Sequence, residues 1–298
     1  MLTFTLNNNL SIPAVGFGTW QTSDDETIAC VSEALKAGYR HIDTAFNYGN
    51  EAAVGKAIKD SGIPREEIWI TSKLDNQWHP RAAEQLQKSL DNLGVEYLDL
   101  FLVHFPCSTD PEDAMKHLED WDFVKTWQLM QKFLEEGKVK TIGVSNFQIR
   151  HLEKLLNDPS CKVVPAVNQI ELHPYNPSHK LLQYCNSKGI HCTAYCCLGA
   201  SITSSDNTHT NLINDPIVAN IAEARGKTPA QVLLKWALAR KTSVIPRSLK
   251  PARIAQNFDL EGWELTVGEI AQIDALKPRA KAVGDSWMPI RVFFGDDE

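Results

Sequence analysis

His41-Ile42-Asp43-Thr44-Ala45-Phe46-Asn47-Tyr48-Gly49-Asn50-Glu51 carries the chain from the end of a strand to the start of a helix. Ile42 and Ala45 flank Asp43 in a short apolar alternation, as in the last residues of a buried strand. The polar, glycine-containing run from Phe46 to Asn50 reads as the loop that the strand opens into. A carboxylate is expensive to bury without a partner, so Asp43 requires a cation from elsewhere in the chain. Tyr48, five residues on and just ahead of a helix at Glu51, stands where packing alone has no use for it.

The same alternation of strand and helix extends both ways from this stretch. A hairpin over 3–16 turns at Asn7-Asn8-Asn9, and a strand over 15–20 leads to a helix over 24–37 stopped at Gly38. After the strand over 41–45, helices are expected over 51–60, 80–93, 123–135, 149–156, 178–187, 217–224, 229–240 and 251–257. The intervening strands fall at 68–73, 98–104, 141–144, 166–170, 191–195 and 243–245. Eight strand-then-helix units predict an α/β fold, a closed (β/α)8 TIM barrel with an N-terminal β-hairpin. The competing doubly wound sheet would carry G-x-G-x-x-G after its first strand, and only Gly16 and Gly18 are present. No linker divides the chain, so 1–298 reads as a single domain. The last twenty or so residues lack periodicity and read as a C-terminal tail over the barrel mouth.

Bulk properties exclude several classes. Among 298 residues, 43% are hydrophobic and 22% charged, enough for a sizeable core. A net charge of -7 with no basic run argues against a nucleic-acid partner. No stretch of about eighteen apolar residues suits a membrane, and the N-terminus has no secretory pattern. Seven cysteines, an odd number without framework spacing, suggest reduced thiols and a cytoplasmic protein. No zinc spacing occurs, so no metal is expected.

In a barrel, the C-terminal ends of all strands meet at one mouth, where stranded polar residues are candidates for chemistry. Going round, these are Trp20, Asp43 with Tyr48, Lys73, His104, Ser145 with Asn146, Gln169, Tyr195, and Arg247 with Ser248. Lys73, one strand from Asp43, is the cation sought. Taken singly each is ambiguous: His104 could be a satisfied core histidine, Asp43–Lys73 a structural ion pair, Tyr48 a loop aromatic. Together, in register on three successive strands, they imply catalysis.

Asp43, Tyr48, Lys73 and His104, each in its local context, resemble the catalytic tetrad of the aldo-keto reductases. Gly16-Phe17-Gly18-Thr19-Trp20, Gly143-Val144-Ser145-Asn146-Phe147 and Ile245-Pro246-Arg247-Ser248 are similar to that family too, so the resemblance spans essentially the whole chain. It implies reduction of aldehydes or ketones by hydride transfer from NADPH, with Tyr48 as general acid. The physical reason is that a phenol with pKa near 10 is a poor acid at neutral pH. A neighbouring ammonium stabilises the phenolate, Asp43 holds that ammonium, and a neutral His104 orients the carbonyl.

The resemblance also implies cofactor contacts. Ser145, Asn146 and Gln169 match residues that hydrogen-bond the nicotinamide carboxamide, and Tyr195 the ring that stacks on it. Leu198 and Gly199 match part of the pyrophosphate loop. Arg247, Ser248, Arg253, Gln256 and Asn257 match the adenosine end. Two arginines suit a 2'-phosphate, which favours NADPH. NADH stands as the second candidate, because Arg247 replaces the family's usual lysine and Gln256 a common glutamate. Tyr195-Cys196-Cys197-Leu198-Gly199-Ala200 also lacks a usual loop hydroxyl, although Ser201 follows.

Trp20, Trp78, Phe105, Trp121 and Trp287 are candidates for an apolar pocket around a small-molecule carbonyl substrate. For Trp121, burial against the helix over 123–135 is an equal reading. Asp75 stands where the family often has an aromatic residue: either it enters the pocket and favours polar substrates, or it faces water and Trp78 takes the aromatic role. A monomer is expected. Two rival classes are a nucleotide-binding regulatory barrel, as the potassium-channel β subunits resemble, and a metal-dependent hydrolase, which would need converging His and Asp ligands.

Overall fold

Helix limits in this chain are written locally. Ser23 and Glu26 close a capping box at the start of Asp24–Ala37, three acidic residues fill its first turn, and Gly38 at φ 109° ends it. Asp122 caps Phe123–Glu135 by accepting from Val124 and Lys125 N–H. Such helices cover the outside of a sheet, described in a computed structural model over residues 2–199, 202–203 and 209–295.

The eight strands are Phe17–Gly18, His41–Asp43, Trp69–Leu74, Leu100–Val103, Ile142–Ser145, Val167–Glu171, His191–Tyr195 and Ser243–Val244. They lie side by side in chain order, every pair parallel. The sheet closes on itself where Val15 bridges Val244. There Gly16 N–H donates to Val244 O at 2.8 Å and Val244 N–H to Ala14 O at 2.9 Å. The result is the (β/α)8 barrel.

Two apolar layers hold it. Outward-facing strand residues such as Ile70 and Phe101 pack with helix residues such as Val31, Trp127 and Trp236. Inside, the leading hairpin, Thr3–Thr5 paired with Ser11–Pro13, turns through Asn9 at φ 66°. Its Leu6 and Ile12 pack on Trp69, Leu100, Leu102, Ala166 and Val167 and fill the N-terminal end of the barrel.

Three features depart from the sequence reading. A 3-10 turn over Asn76–Arg81 delays the third helix to Ala82–Leu93. A further helix, Val267–Asp274, follows the last barrel helix Pro251–Phe258 and begins with a Thr266–Glu269 capping box. After the seventh strand, Ile202–Thr203 pairs with His209–Thr210 in a small ribbon. Ala200 and Ser201, which bear on the expected phosphate loop, lie outside the described residues.

Candidate active site

Asp43 is the last residue of its strand and pairs opposite Thr71. Lys73 is two residues farther along the neighbouring strand, so it points to the same face as Thr71. That register places Lys73 Nζ 2.6 Å from Asp43 Oδ1. Both side chains are sealed from solvent, 0% and 1% exposed as residues. Lysine is almost never buried so completely unless paired. Its ammonium also donates to Thr44 O at 2.9 Å and to the Tyr48 hydroxyl at 3.2 Å. All three donors are therefore used, and one is aimed at the phenol. Burial alone would push the Lys73 pKa down, but Asp43 and Tyr48 more than offset it, and the net direction is up. Lys73 is a fixed cation.

Tyr48 ends the short turn Phe46–Tyr48, which Gly49 closes at φ 72°. Its ring is half-buried and its hydroxyl meets Lys73. Burial pushes the phenol pKa up, and Lys73 opposes this without cancelling it. Lys73 thus favours the phenolate as expected, but the net direction stays upward. In this structure desolvation outweighs the ammonium, and Tyr48 keeps its proton. A loaded acid is what proton donation requires.

His104 follows the strand Leu100–Val103 and is anchored by its N–H to Leu74 O at 3.1 Å. Its ring meets Tyr48 edge-on, centroids 5.9 Å apart, and stacks on Phe105. Burial holds its pKa well below the ordinary value, with Lys73 and His79 adding to the effect. The imidazole is therefore neutral and offers one N–H.

The expected nicotinamide-binding residues are joined in one network. Ser145 Oγ donates to Gln169 O at 2.9 Å, and Asn146 Nδ2 to His104 O at 3.0 Å. Tyr195 OH donates to Asn146 Oδ1 at 2.6 Å. Gln169 Nε2 donates to Asp43 Oδ2 at 2.7 Å, a partner the sequence reading did not foresee. The second Asp43 oxygen is thereby satisfied, as a buried carboxylate demands.

These groups open into a cavity of about 780 Å³. Asp43, Tyr48, His104, Ser145, Asn146 and Gln169 line it. Tyr195, Leu198, Gly199, Arg247, Trp20, Phe105 and Trp287 line it as well, Trp20 and Trp287 exposed and Phe105 buried. Trp287 meets Phe105 edge-on at 5.2 Å and brings the tail over the opening. Lys73 lies beneath Tyr48. Ser248, Arg253, Gln256 and Asn257 do not line this cavity. They follow Arg247 on the adjoining loop and helix, Arg253 and Gln256 exposed, Asn257 buried.

One pocket expectation is corrected, and the two equal readings of Trp121 are decided. Trp78 is not part of the lining: it packs edge-on against Phe46 at 5.5 Å, under Arg81. Trp121 is not either; its indole N–H donates to Thr126 Oγ1 on the following helix at 3.0 Å. Asp75 also stays outside, half-buried, its N–H donating to Gln85 Oε1 at 2.7 Å. Burial pushes its carboxyl pKa up. Neither alternative weighed for Asp75 and Trp78 therefore holds.

Sequence reasoning overlooked Glu171 and the tail residues Ala282, Val283, Gly284 and Ser286, which also line the cavity or hold what lines it. Glu171 had a signal: it lies two residues beyond Gln169 on the same strand, hence on the same face. The tail had none, because it has no period.

The chain is similar to known proteins over nearly all its length. A model of the aldo/keto reductase family matches residues 14–278. An aldehyde reductase of Saccharomyces cerevisiae is 43% identical, the match covering 98% of this chain and 96% of that one. An NADP(+) glycerol 2-dehydrogenase of the same yeast is 39% identical over 97% of this chain and 96% of its own. Among solved structures, an aldo-keto reductase of Bombyx mori in complex with NADP superposes with a TM-score of 0.85 at 36% identity, covering 92% of each chain.

Proposed function

The chain belongs to the aldo/keto reductase family and is an NADP-dependent oxidoreductase that reduces carbonyl compounds, and from this premise we propose that Tyr48 is its general acid. The observation that carries the assignment is the Tyr48 hydroxyl held 3.2 Å from a buried ammonium while Tyr48 lines an open cavity.

The cavity suits the cofactor by size and by its donors. Its lining includes the amide and hydroxyl groups of Ser145, Asn146 and Gln169 and the guanidinium of Arg247, donors that suit a dinucleotide with a neutral head and anionic middle. Bound NADPH supplies the hydride that adds to the carbonyl carbon. Tyr48 gives its proton to the carbonyl oxygen, completing the alcohol. Lys73 stabilises the phenolate left behind, and Asp43 keeps Lys73 charged and in place. His104 donates its N–H to the same oxygen and polarises the bond. Ser145, Asn146 and Gln169 orient the nicotinamide and Tyr195 supports its face. Arg253, with Arg247 and Ser248, favours the 2'-phosphate.

Small aldehydes or ketones are the proposed substrates, gripped between Trp20, Phe105 and Trp287. All seven cysteines are free, which supports a reducing compartment; the cytosol and a monomeric state complete the proposal. Replacing Tyr48 with Phe lowers kcat for a simple aldehyde about a thousandfold while NADPH binding, read by fluorescence, is retained. Unchanged turnover would remove Tyr48 from its role.

A further inference from the structure

Glu171 ends the sixth strand, opposite Tyr195 and two residues beyond Gln169. It is 1% exposed, yet nothing in the chemistry above uses it. Its carboxylate is fully engaged. Oε1 accepts from Ala282 N–H at 2.6 Å and from His173 Nε2 at 2.9 Å, and Oε2 accepts from Val283 N–H at 2.8 Å. Two consecutive backbone amides of the tail thus converge on one buried carboxylate; burial pushes its pKa up, but the His173 bond, the nearby Lys281 charge and the Ala282 N–H more than offset this, and the net direction is down.

The tail beyond this point is a self-contained fold. Asp285 Oδ2 accepts from Val292 N–H at 2.6 Å and Phe293 N–H at 2.7 Å. Trp287 Nε1 donates to Gly284 O at 2.9 Å. The barrel grips it through side chains: Glu171 at the near end, and Gln148, which accepts from Phe294 N–H at 2.8 Å, at the far end. Phe105 and Cys107 meet Met288 and Val292 between these grips. Between the two grips lie Gly284, Ser286 and Trp287, which line the cavity.

We propose that Glu171 is a latch that positions the tail, and with it Trp287, over the carbonyl pocket, and so sets how tightly the substrate is held. The proposal rests on the reductase reading of this cavity. Glu171 is a positioning residue: it reaches the substrate only through Ala282 and Val283. An amide in its place offers one acceptor and faces the second tail N–H with a donor, so at least one buried N–H is left unpaired.

The test is Glu171→Gln, assayed with a panel of aldehydes under saturating NADPH. The expected result is a KM about tenfold higher for aldehydes large enough to touch Trp287, with kcat and NADPH affinity within twofold of wild type. Trypsin should then cut after Lys281 and Arg291 at least about tenfold faster than in the unaltered protein. Trp287→Ala should raise KM similarly, and the double variant no more than either single one. Additive effects, or equal loss of kcat and NADPH binding, would mean that Glu171 acts through general stability, and would overturn the latch. Should Glu171→Gln fail to fold, Ala282→Pro removes one tail N–H while leaving the barrel intact. It should give the same KM rise and the same tryptic pattern; normal values for both refute the proposal. If the unaltered protein reduces no carbonyl, the reading of the cavity fails by itself, and the tryptic pattern still decides the latch.

Discussion

At the residue scale the decisive pair is Asp43 and Lys73, because each makes the other tolerable in the interior. Replacing Lys73 with Met strands a carboxylate, and the expected loss is about 3–5 kcal/mol, read as a lower denaturation midpoint. Adding Asp43→Asn should recover much of that stability and none of the turnover, which separates holding the fold from activating the phenol. At the outer end of the cofactor site, Arg253→Ala should weaken NADPH about tenfold and leave NADH binding unchanged; equal losses would argue against a 2'-phosphate contact. The ion pair was legible in the sequence because an interior charge demands an opposite one. Gln169 as the partner of Asp43 was not, since an amide carries no such demand. Trp78 misled for a related reason, and Trp121 allowed two readings: aromatic residues are driven inside by area, and area does not say which cavity they face.

At the scale of elements, helix ends were readable wherever a cap spelled them. Ser23 and Gly38 bound the first helix, and Glu51–Asp60 and Phe123–Glu135 start and stop where the sequence indicates. Val267–Asp274 escaped although Thr266 and Glu269 form the same kind of box; eight residues are too few for periodicity to show. Packing between elements was invisible throughout. Gly55 illustrates it: in a helix interior, alanine is normally better than glycine by about 1 kcal/mol. Here an added Cβ would overlap the backbone carbonyl of Leu93 at the end of the next helix. Backbone cannot yield as a flexible side chain can, so Gly55→Ala should lower the melting temperature rather than raise it. A rise would show that the second and third helices separate easily.

At the scale of the whole molecule, 1–298 is expected to melt as one unit, since the first and last strands are bonded to each other. Acid should be its weakness. Burial holds His41 and His191 down to about 4 and His79 to about 3, against an ordinary 6.5. The unfolded chain therefore takes up protons that the folded chain refuses. Stability from these groups is complete above about pH 6.5 and declines as pH falls, until each folded pKa is passed near 4 or 3. Together they represent on the order of 10 kcal/mol, comparable with the entire stability of a domain. Urea midpoints should be level between pH 7 and 8 and fall steeply from 6 to 4; a flat profile would contradict the burial of these rings. The barrel itself was legible because eight repeats of one pattern leave few topologies, whereas the identity of the tail's anchor depended on distances no pattern encodes.

The N-terminal hairpin has one more effect. Among the described residues, Leu6 and Ile12 stopper the lower end of the barrel. Cofactor and carbonyl compound must therefore share the mouth at the other end, where Trp20, Tyr48 and Trp287 line one cavity. A plug of two aliphatic side chains at one end thereby sends all traffic through the other.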